Sequence, residues 1–375
     1  MNTFTAAALL LLLLVVGGSD VPGERTRVGC YYIGVKSERY GTLFPEDIDA
    51  SICTHLFYLH GAINNETHEI SLKPPSPNMK TGGEGFVPRL AKLKAVNPDL
   101  KLILHTVTQT DWLSQEHSRR SNIIQNGVKW LNESGFDGLE LSALVYDLEE
   151  TEKMADFICE MKNELDKFGY TVITSLTGAS TSLEQSISKI ARCSDHIGLV
   201  TLHQEWSTHR IAPMSMIIPN VDWFVERGVP ANKILVTVPS FGLIYILEDP
   251  EDTKMGAGVN GPGNDNREMM GGFGIRNKEL LRKMNDSSLG WTIRRDNETK
   301  EPYAFTTTGL WTSYEDTTSM EYKARYVLER GLGGINIVDM DNDDDEGIGG
   351  EGKFPLTRKV YDIFRQENQP VNTDK

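Results

Sequence analysis

Phe136-Asp137-Gly138-Leu139-Glu140-Leu141-Ser142-Ala143-Leu144 decides how this chain is read. The segment has the alternation of a β-strand entered through an Asp-Gly pair. Strand side chains point to opposite faces in turn, so Glu140, Ser142 and Leu144 share one face and point into one space. That face carries a carboxylate, a hydroxyl and a hydrocarbon. A hydrocarbon delivers no proton, so the last position cannot act as a general acid.

Similar apolar runs recur on both sides: Val28–Ile33, Thr54–Leu59, Lys101–Val107, Gly138–Leu141, Thr171–Leu176, His196–Leu202, Ile234–Val238 and Gly334–Val338. Helical patterns separate most of them, as over Gly127–Asn132, Thr151–Phe168 and Ser182–Ala191. Eight strands alternating with helices predict an α/β fold of the closed (β/α)8 barrel type. A doubly wound open sheet is the structural alternative, but no Gly-rich strand-to-helix turn of dinucleotide type supports it. The rhythm breaks from about Glu248 to Phe305, a stretch rich in Gly, Asn and Asp. It holds one helical run, Asn277–Met284, and one strand-like run, Trp291–Arg295. That is too long and too structured for a barrel loop, and predicts a small α+β insertion after strand seven. The expected organisation is a leader over 1–19, a barrel over 20–247 and 306–368, an insertion over 248–305 and a disordered tail over 369–375.

The 375 residues are 39% hydrophobic and 24% charged, which suits a soluble globular protein with a large core. A net charge of −15 argues against nucleic acid or an anionic membrane as partner. Ala6–Val16 is apolar but too short to span a bilayer, and Gly17-Gly18-Ser19 follow it, the pattern of a secretory signal cleaved near Ser19 or Asp20. No later run is long and apolar enough to insert in a membrane. Cys30, Cys53, Cys159 and Cys193 allow three pairings, and export favours disulfides over free thiols. Sequons stand at Asn65, Asn132, Asn285 and Asn297, so a secreted glycoprotein is expected.

Further blocks lie in a telling order: Cys30-Tyr31-Tyr32, Pro45-Glu46-Asp47-Ile48-Asp49, Cys53-Thr54-His55-Leu56, Asn97-Pro98-Asp99-Leu100-Lys101 and Gly135-Phe136-Asp137-Gly138. Later come Lys233-Ile234-Leu235-Val236, Gly271-Gly272-Phe273, Trp291, Pro302-Tyr303-Ala304-Phe305, Trp311, Tyr314, Gly331-Leu332-Gly333-Gly334 and Gly352-Lys353-Phe354-Pro355-Leu356. In this order the chain resembles the family 18 glycoside hydrolases, the chitinases and chitinase-like proteins, from Cys30 to about Arg365. The resemblance implies the barrel, a Cys30–Cys53 disulfide and a catalytic strand reading Asp-Gly-x-Asp-x-Asp-x-Glu. Even count and placement at helix ends then pair Cys159 with Cys193.

In that family an acid protonates the glycosidic oxygen and the substrate's acetamido group attacks the sugar carbon. Here Leu144 stands at the acid and Ser142 at the Asp that orients the acetamide. Glu140 stands at the first of the three acidic positions. Leu202 and His203 replace a Tyr and an Asp on strand six. Val338 replaces the Trp under the sugar, Gln109 falls where Gly-Gly-Trp is usual, His60 where an aromatic is usual, and Leu243 where Arg is usual. Tyr31 remains, and Phe241 is counted with the cleft. Glu140 with His203, or with Asp147, Glu149 or Glu150, would be the parts of a rebuilt acid–base pair. The preferred reading makes Glu140 a hydrogen-bonded structural carboxylate. His60, His105 and His203 are read as polar lining, not metal ligands. The run Asp339–Glu346 lacks the Gly and Glu that an EF-hand needs and is read as a solvated loop.

The expectation is therefore a secreted chitinase-like protein without hydrolase activity. It would use no cofactor and no metal, and would act as a monomer by binding a glycan, a matrix component or a receptor. A family 18 hydrolase with an altered site or substrate is the alternative, and a structural or storage glycoprotein a third.

Overall fold

The computed structural model describes residues 26–36, 42–64, 66–72, 80–108, 117–143, 148–202, 207–264, 273–297 and 300–367. The leader 1–19, the tail 369–375, Asn65, Gln109, Leu144, Asp147, His203 and Gly271-Gly272 lie outside the described residues.

In chain order the strands are β1 (Arg27–Tyr32), β2 (His55–Ile63), β3 (Ile70–Leu72), β4 (Lys101–Thr108), β5 (Gly138–Ala143), β6 (Thr171–Thr177), β7 (His196–Val200) and β8 (Ile234–Pro239). Then come β9 (Phe241–Leu247), β10 (Val259–Pro262), β11 (Gly274–Arg276), β12 (Thr292–Arg295), β13 (Pro302–Phe305), β14 (Leu310–Ser313) and β15 (Gly334–Val338). Eight pair in parallel in the order β1-β2-β4-β5-β6-β7-β8-β15, and β15 pairs back onto β1, which closes the (β/α)8 barrel. Buried parallel strands have two covered faces and therefore read as continuous apolar runs. In β8 all six residues are buried. β2 runs on past the expected Leu59 and turns back through β3, an antiparallel hairpin that the apolar run did not announce.

The helices are α1 (Val87–Ala91), α2 (His117–Ser134), α3 (Leu148–Leu165), α4 (Ile187–Cys193), α5 (Met214–Glu226), α6 (Asn277–Asn285), α7 (Thr317–Glu329) and α8 (Pro355–Glu367). Along α3 the buried Met154, Phe157, Ile158, Met161 and Leu165 recur at three- and four-residue steps, one apolar stripe laid on the barrel. α7 begins at a capping box: Ser319 N donates to Asp316 Oδ1 at 2.9 Å, and Asp316 N donates to Ser319 Oγ at 3.0 Å. Cys30–Cys53 joins β1 to the approach of β2, and Cys159–Cys193 joins α3 to the end of α4.

Between β8 and β15 an antiparallel sheet runs β10-β9-β14-β13-β12, with β11 paired to β9. It takes in Phe241–Leu247 and Leu310–Ser313, on either side of the span 248–305 read from the sequence. The reason is local: β9 follows β8 after Ser240 alone, so composition does not change where the chain leaves the barrel. Trp311, Tyr245 and Phe273 form the core of this sheet.

Candidate functional site

Period two along each parallel strand builds the barrel interior. Tyr31, Phe57, Leu59, Ile103 and Ile173 fill its centre, with Val338 packed against them. The registers His105↔Glu140 and Ser142↔Ser175 set four polar side chains among those hydrocarbons.

Glu140 is fully buried, and both its oxygens are engaged. Tyr31 Oη donates to Oε1 at 2.5 Å, and Ser175 Oγ donates to the same oxygen. His105 Nδ1 lies 2.6 Å from Oε2. Thr106 Oγ1 donates to the Glu140 carbonyl at 2.7 Å. A carboxylate out of water needs such donors. Burial first, and the Glu140 charge second, hold the Tyr31 phenol well above its ordinary pKa, so it stays a donor. The Tyr31 ring stacks on Phe57 with centroids 4.4 Å apart. Gly198 on β7 belongs to this arrangement, because a Cβ there would collide with Ser175 Oγ.

The other expected positions divide. Ser142 is half-buried on the Glu140 face. His60 is half-buried at the far part of β2, edge-on to His105 at 5.2 Å, and burial pushes its pKa down to about 3. Leu202 and Val338 are partly buried and pack between the barrel and the insertion core. Leu243 is fully buried and Phe241 nearly so, both inside the insertion core. Asp137 sits at the other end of β5, where Oδ2 accepts from Leu102 N at 2.8 Å and pairs with Lys94 at 2.7 Å. The sequons at Asn132, Asn285 and Asn297 are exposed.

The acidic run after β15 is not the solvated loop read from the sequence. Asp339, Asp341, Asp343 and Asp344 are all buried. Asp341 Oδ2 accepts from Gly34 N at 2.8 Å, and Asp343 Oδ2 accepts from Thr357 N at 3.1 Å. Asp344 takes Gly347 N and Gly349 N, each at 2.8 Å. The carboxylates fold the loop by binding its backbone, a role that composition cannot distinguish from solvation. Burial pushes Asp341 and Asp343 up to about 6, and burial with the neighbouring Asp341 raises Asp339 well above the usual range. Among the described residues no cluster of three or more His, Cys, Asp or Glu side chains is arranged to hold a metal ion.

Sequence reasoning missed Ser175 and Asn336, whose amide lies 3.5 Å from Tyr31 Oη. Their positions on the inward face of apolar strands were the available signal.

The glycosyl hydrolases family 18 model matches residues 27–343. Chitotriosidase-1 of Mus musculus is 27% identical over 94% of this chain and 80% of its own length. The structure of the Ostrinia furnacalis group IV chitinase superposes with a TM-score of 0.81 at 25% identity, covering 91% of this chain and all of that one. Human YKL-39, described as a pseudo-chitinase with retained chitooligosaccharide binding properties, shares the fold with a TM-score of 0.79 at 22% identity, over 91% of this chain and all of its own.

Proposed function

The chain belongs to the glycosyl hydrolases of family 18, and from that premise we propose that it is a secreted binding protein without hydrolase activity. The observation that carries this reading is Glu140. It is the acidic residue left on the catalytic strand's inward face, and its two oxygens are taken by Tyr31, Ser175 and His105. A general acid has to reach the glycosidic oxygen, and a fully buried, saturated carboxylate does not. The position of the family's acid holds Leu144 and that of the acetamide-orienting Asp holds Ser142. Secretion is supported by the two disulfides, which persist in oxidising compartments.

The partner is a glycan, a matrix component or a receptor. YKL-39 is described as keeping chitooligosaccharide binding. This chain holds Val338, Gln109 and His60 where aromatic faces are usual, and each lost stacking contact costs on the order of 1 kcal/mol. Chitohexaose binding is therefore about a hundredfold weaker than in a cleft with all three, if the losses add.

The fluorogenic chitooligosaccharide assay tests the reading: the purified protein gives no turnover above background. Turnover that disappears in Glu140→Gln overturns it. A hydrolase with an altered site is the second reading, and the His105–Glu140 contact at 2.6 Å is what favours it. A glycan array run beside an extracellular protein-interaction screen identifies the partner class.

A further inference from the structure

The opposite end of the barrel carries a second polar layer. Arg27, His55, Lys101, Thr171 and His196 are the first residues of β1, β2, β4, β6 and β7. All five line one cavity of about 700 Å³, with Asn97, Asp99, Asp195 and Tyr361 at its rim. Period two puts them on the faces of Tyr31, Phe57, Ile103, Ile173 and Gly198, which point into the barrel. This end of a (β/α)8 barrel ordinarily serves stability and is packed, so an open polar layer there calls for an occupant.

The two histidines define its chemistry. Their rings stand 6.1 Å apart and perpendicular. His196 is 7% exposed, and its Nδ1 is buried without a hydrogen-bond partner. A buried polar atom left unpaired in a native fold marks strain, a missing water or a missing ion. His55 Nδ1 lies 2.9 Å from Thr54 Oγ1, whose own proton goes to the Val28 carbonyl at 3.1 Å. His55 Nδ1 is then the donor, and Nε2 is the nitrogen left for the cavity.

The charges acting most strongly on the two rings are cations. Burial pushes His55 down to about 3 and His196 to about 2, and nearby cations lower them further: Arg27 and Lys101 act on His55, and Arg27, Lys233 and Lys162 on His196. The carboxylates nearby are committed elsewhere. Asp195 pairs with Lys162 at 2.7 Å and accepts from Val172 N at 2.7 Å, and Asp137 is held by Lys94. Asp99 is exposed at the rim. A divalent metal would meet cations and too few ligands.

We propose that this N-terminal mouth of the barrel is an oxyanion-binding pocket, taking a phosphate or sulfate group between Arg27, His55 and His196. The cavity exceeds one ion, so the group is borne on a larger molecule. An anion favours the imidazolium form, and His55 needs a proton on Nε2 to donate. Binding therefore takes up a proton and tightens as pH falls. The pocket rests on none of the residues at the Glu140 end, so it stands or falls apart from the proposed function.

The test follows the ring resonances of His55 and His196 by NMR in chloride buffer, with inorganic sulfate and inorganic phosphate titrated separately at matched ionic strength. Saturable shifts of both rings are expected. Sulfate keeps its charge across the range, so its affinity reports the protein's proton alone and tightens at least threefold from pH 7.5 to pH 6. The anion bound more tightly names the ligand's head group. Arg27→Met weakens binding at least tenfold, and His196→Asn, a milder change to the barrel, does so at least fivefold. No shift with either anion, an unchanged affinity in both variants, or saturable binding of zinc instead overturns the proposal.

Discussion

Tyr31 on β1 reaches across the barrel to Glu140 on β5, and its phenol donates to Oε1 at 2.5 Å. The two residues are 109 positions apart in the chain and lie on strands separated by β2 and β4. This contact makes the polar interior a stability feature. Tyr31→Phe removes one donor from a buried carboxylate and lowers unfolding free energy by about 1–3 kcal/mol. Glu140→Ala strands Tyr31, Ser175 and His105 together and costs more, about 3 kcal/mol or above. Denaturant unfolding with an unchanged m-value checks both, and a Tyr31→Phe protein as stable as the parent refutes the role.

Leu144→Glu alone does not restore chitinase activity. A general acid supplies roughly 10²–10⁴-fold, and only where the reacting group is held within reach. On the proposed reading, Ser142, Leu202 and Val338 still leave the acetamide unoriented and the sugar without its floor. Groups that act as a unit do not contribute additively. Hydrolysis of a fluorogenic chitooligosaccharide by the single variant would show that substrate still docks correctly, and the binding-protein reading would lose its support.

The depressed histidines give the stability curve a known sign. His196 titrates at about 2 in the folded chain, far below the unfolded value of about 6.5. As pH falls below about 6.5 the unfolded chain takes up a proton that the folded chain refuses, so this contribution to stability declines. The slope approaches about 1.4 kcal/mol per pH unit. Asp341 and Asp343, raised to about 6, tilt the curve the other way: their contribution is full below about pH 4 and lost as pH rises through 6. A difference between two proteins isolates the histidine. His196→Asn flattens the fall between pH 6 and pH 4 by about 1 kcal/mol per unit in chloride buffer free of phosphate and sulfate. Parallel curves for the two proteins would contradict the burial of a neutral ring.

Lys323 on α7 is buried between Glu301, at 2.6 Å, and Glu315, and so fastens the insertion sheet to the barrel's helical layer. Lys323→Met leaves two buried carboxylates facing hydrocarbon and costs about 3–5 kcal/mol. Adding Glu301→Gln and Glu315→Gln removes the stranded charge and recovers most of that loss. Thermal melts of the single and triple variants decide this, and equal loss in both would deny the electrostatic account.

The barrel was legible because its strands are buried on both faces. Continuous apolar runs such as Ile234–Val238 report burial directly, and the eight found in the sequence fall on the eight barrel strands. The quoted strand likewise announced that Glu140 and Ser142 share a face, which the period of two fixes without any knowledge of neighbours. The start of the antiparallel sheet was not legible. Phe241–Leu247 is as apolar as the barrel strand before it, and only its antiparallel pairing with β10, β11 and β14 assigns it to the other sheet.

Local sequence determined the element types and the inward face of each strand, because periodicity needs no partner to be read, and the resemblance to family 18 set Leu144 against the position of its acid. The tertiary structure alone decided what the polar residues do. Glu140 is saturated because closure of the barrel brings Tyr31, His105 and Ser175 to it from three other strands. Asp341 and Asp343 are held in the fold because Gly34, far back in the chain, and Thr357 in α8 offer them backbone donors. Arg27, His55 and His196 meet in one cavity because parallel strands begin at one end of a barrel. A charge's role depends on its desolvation and its donors, and both are set by segments far away in sequence.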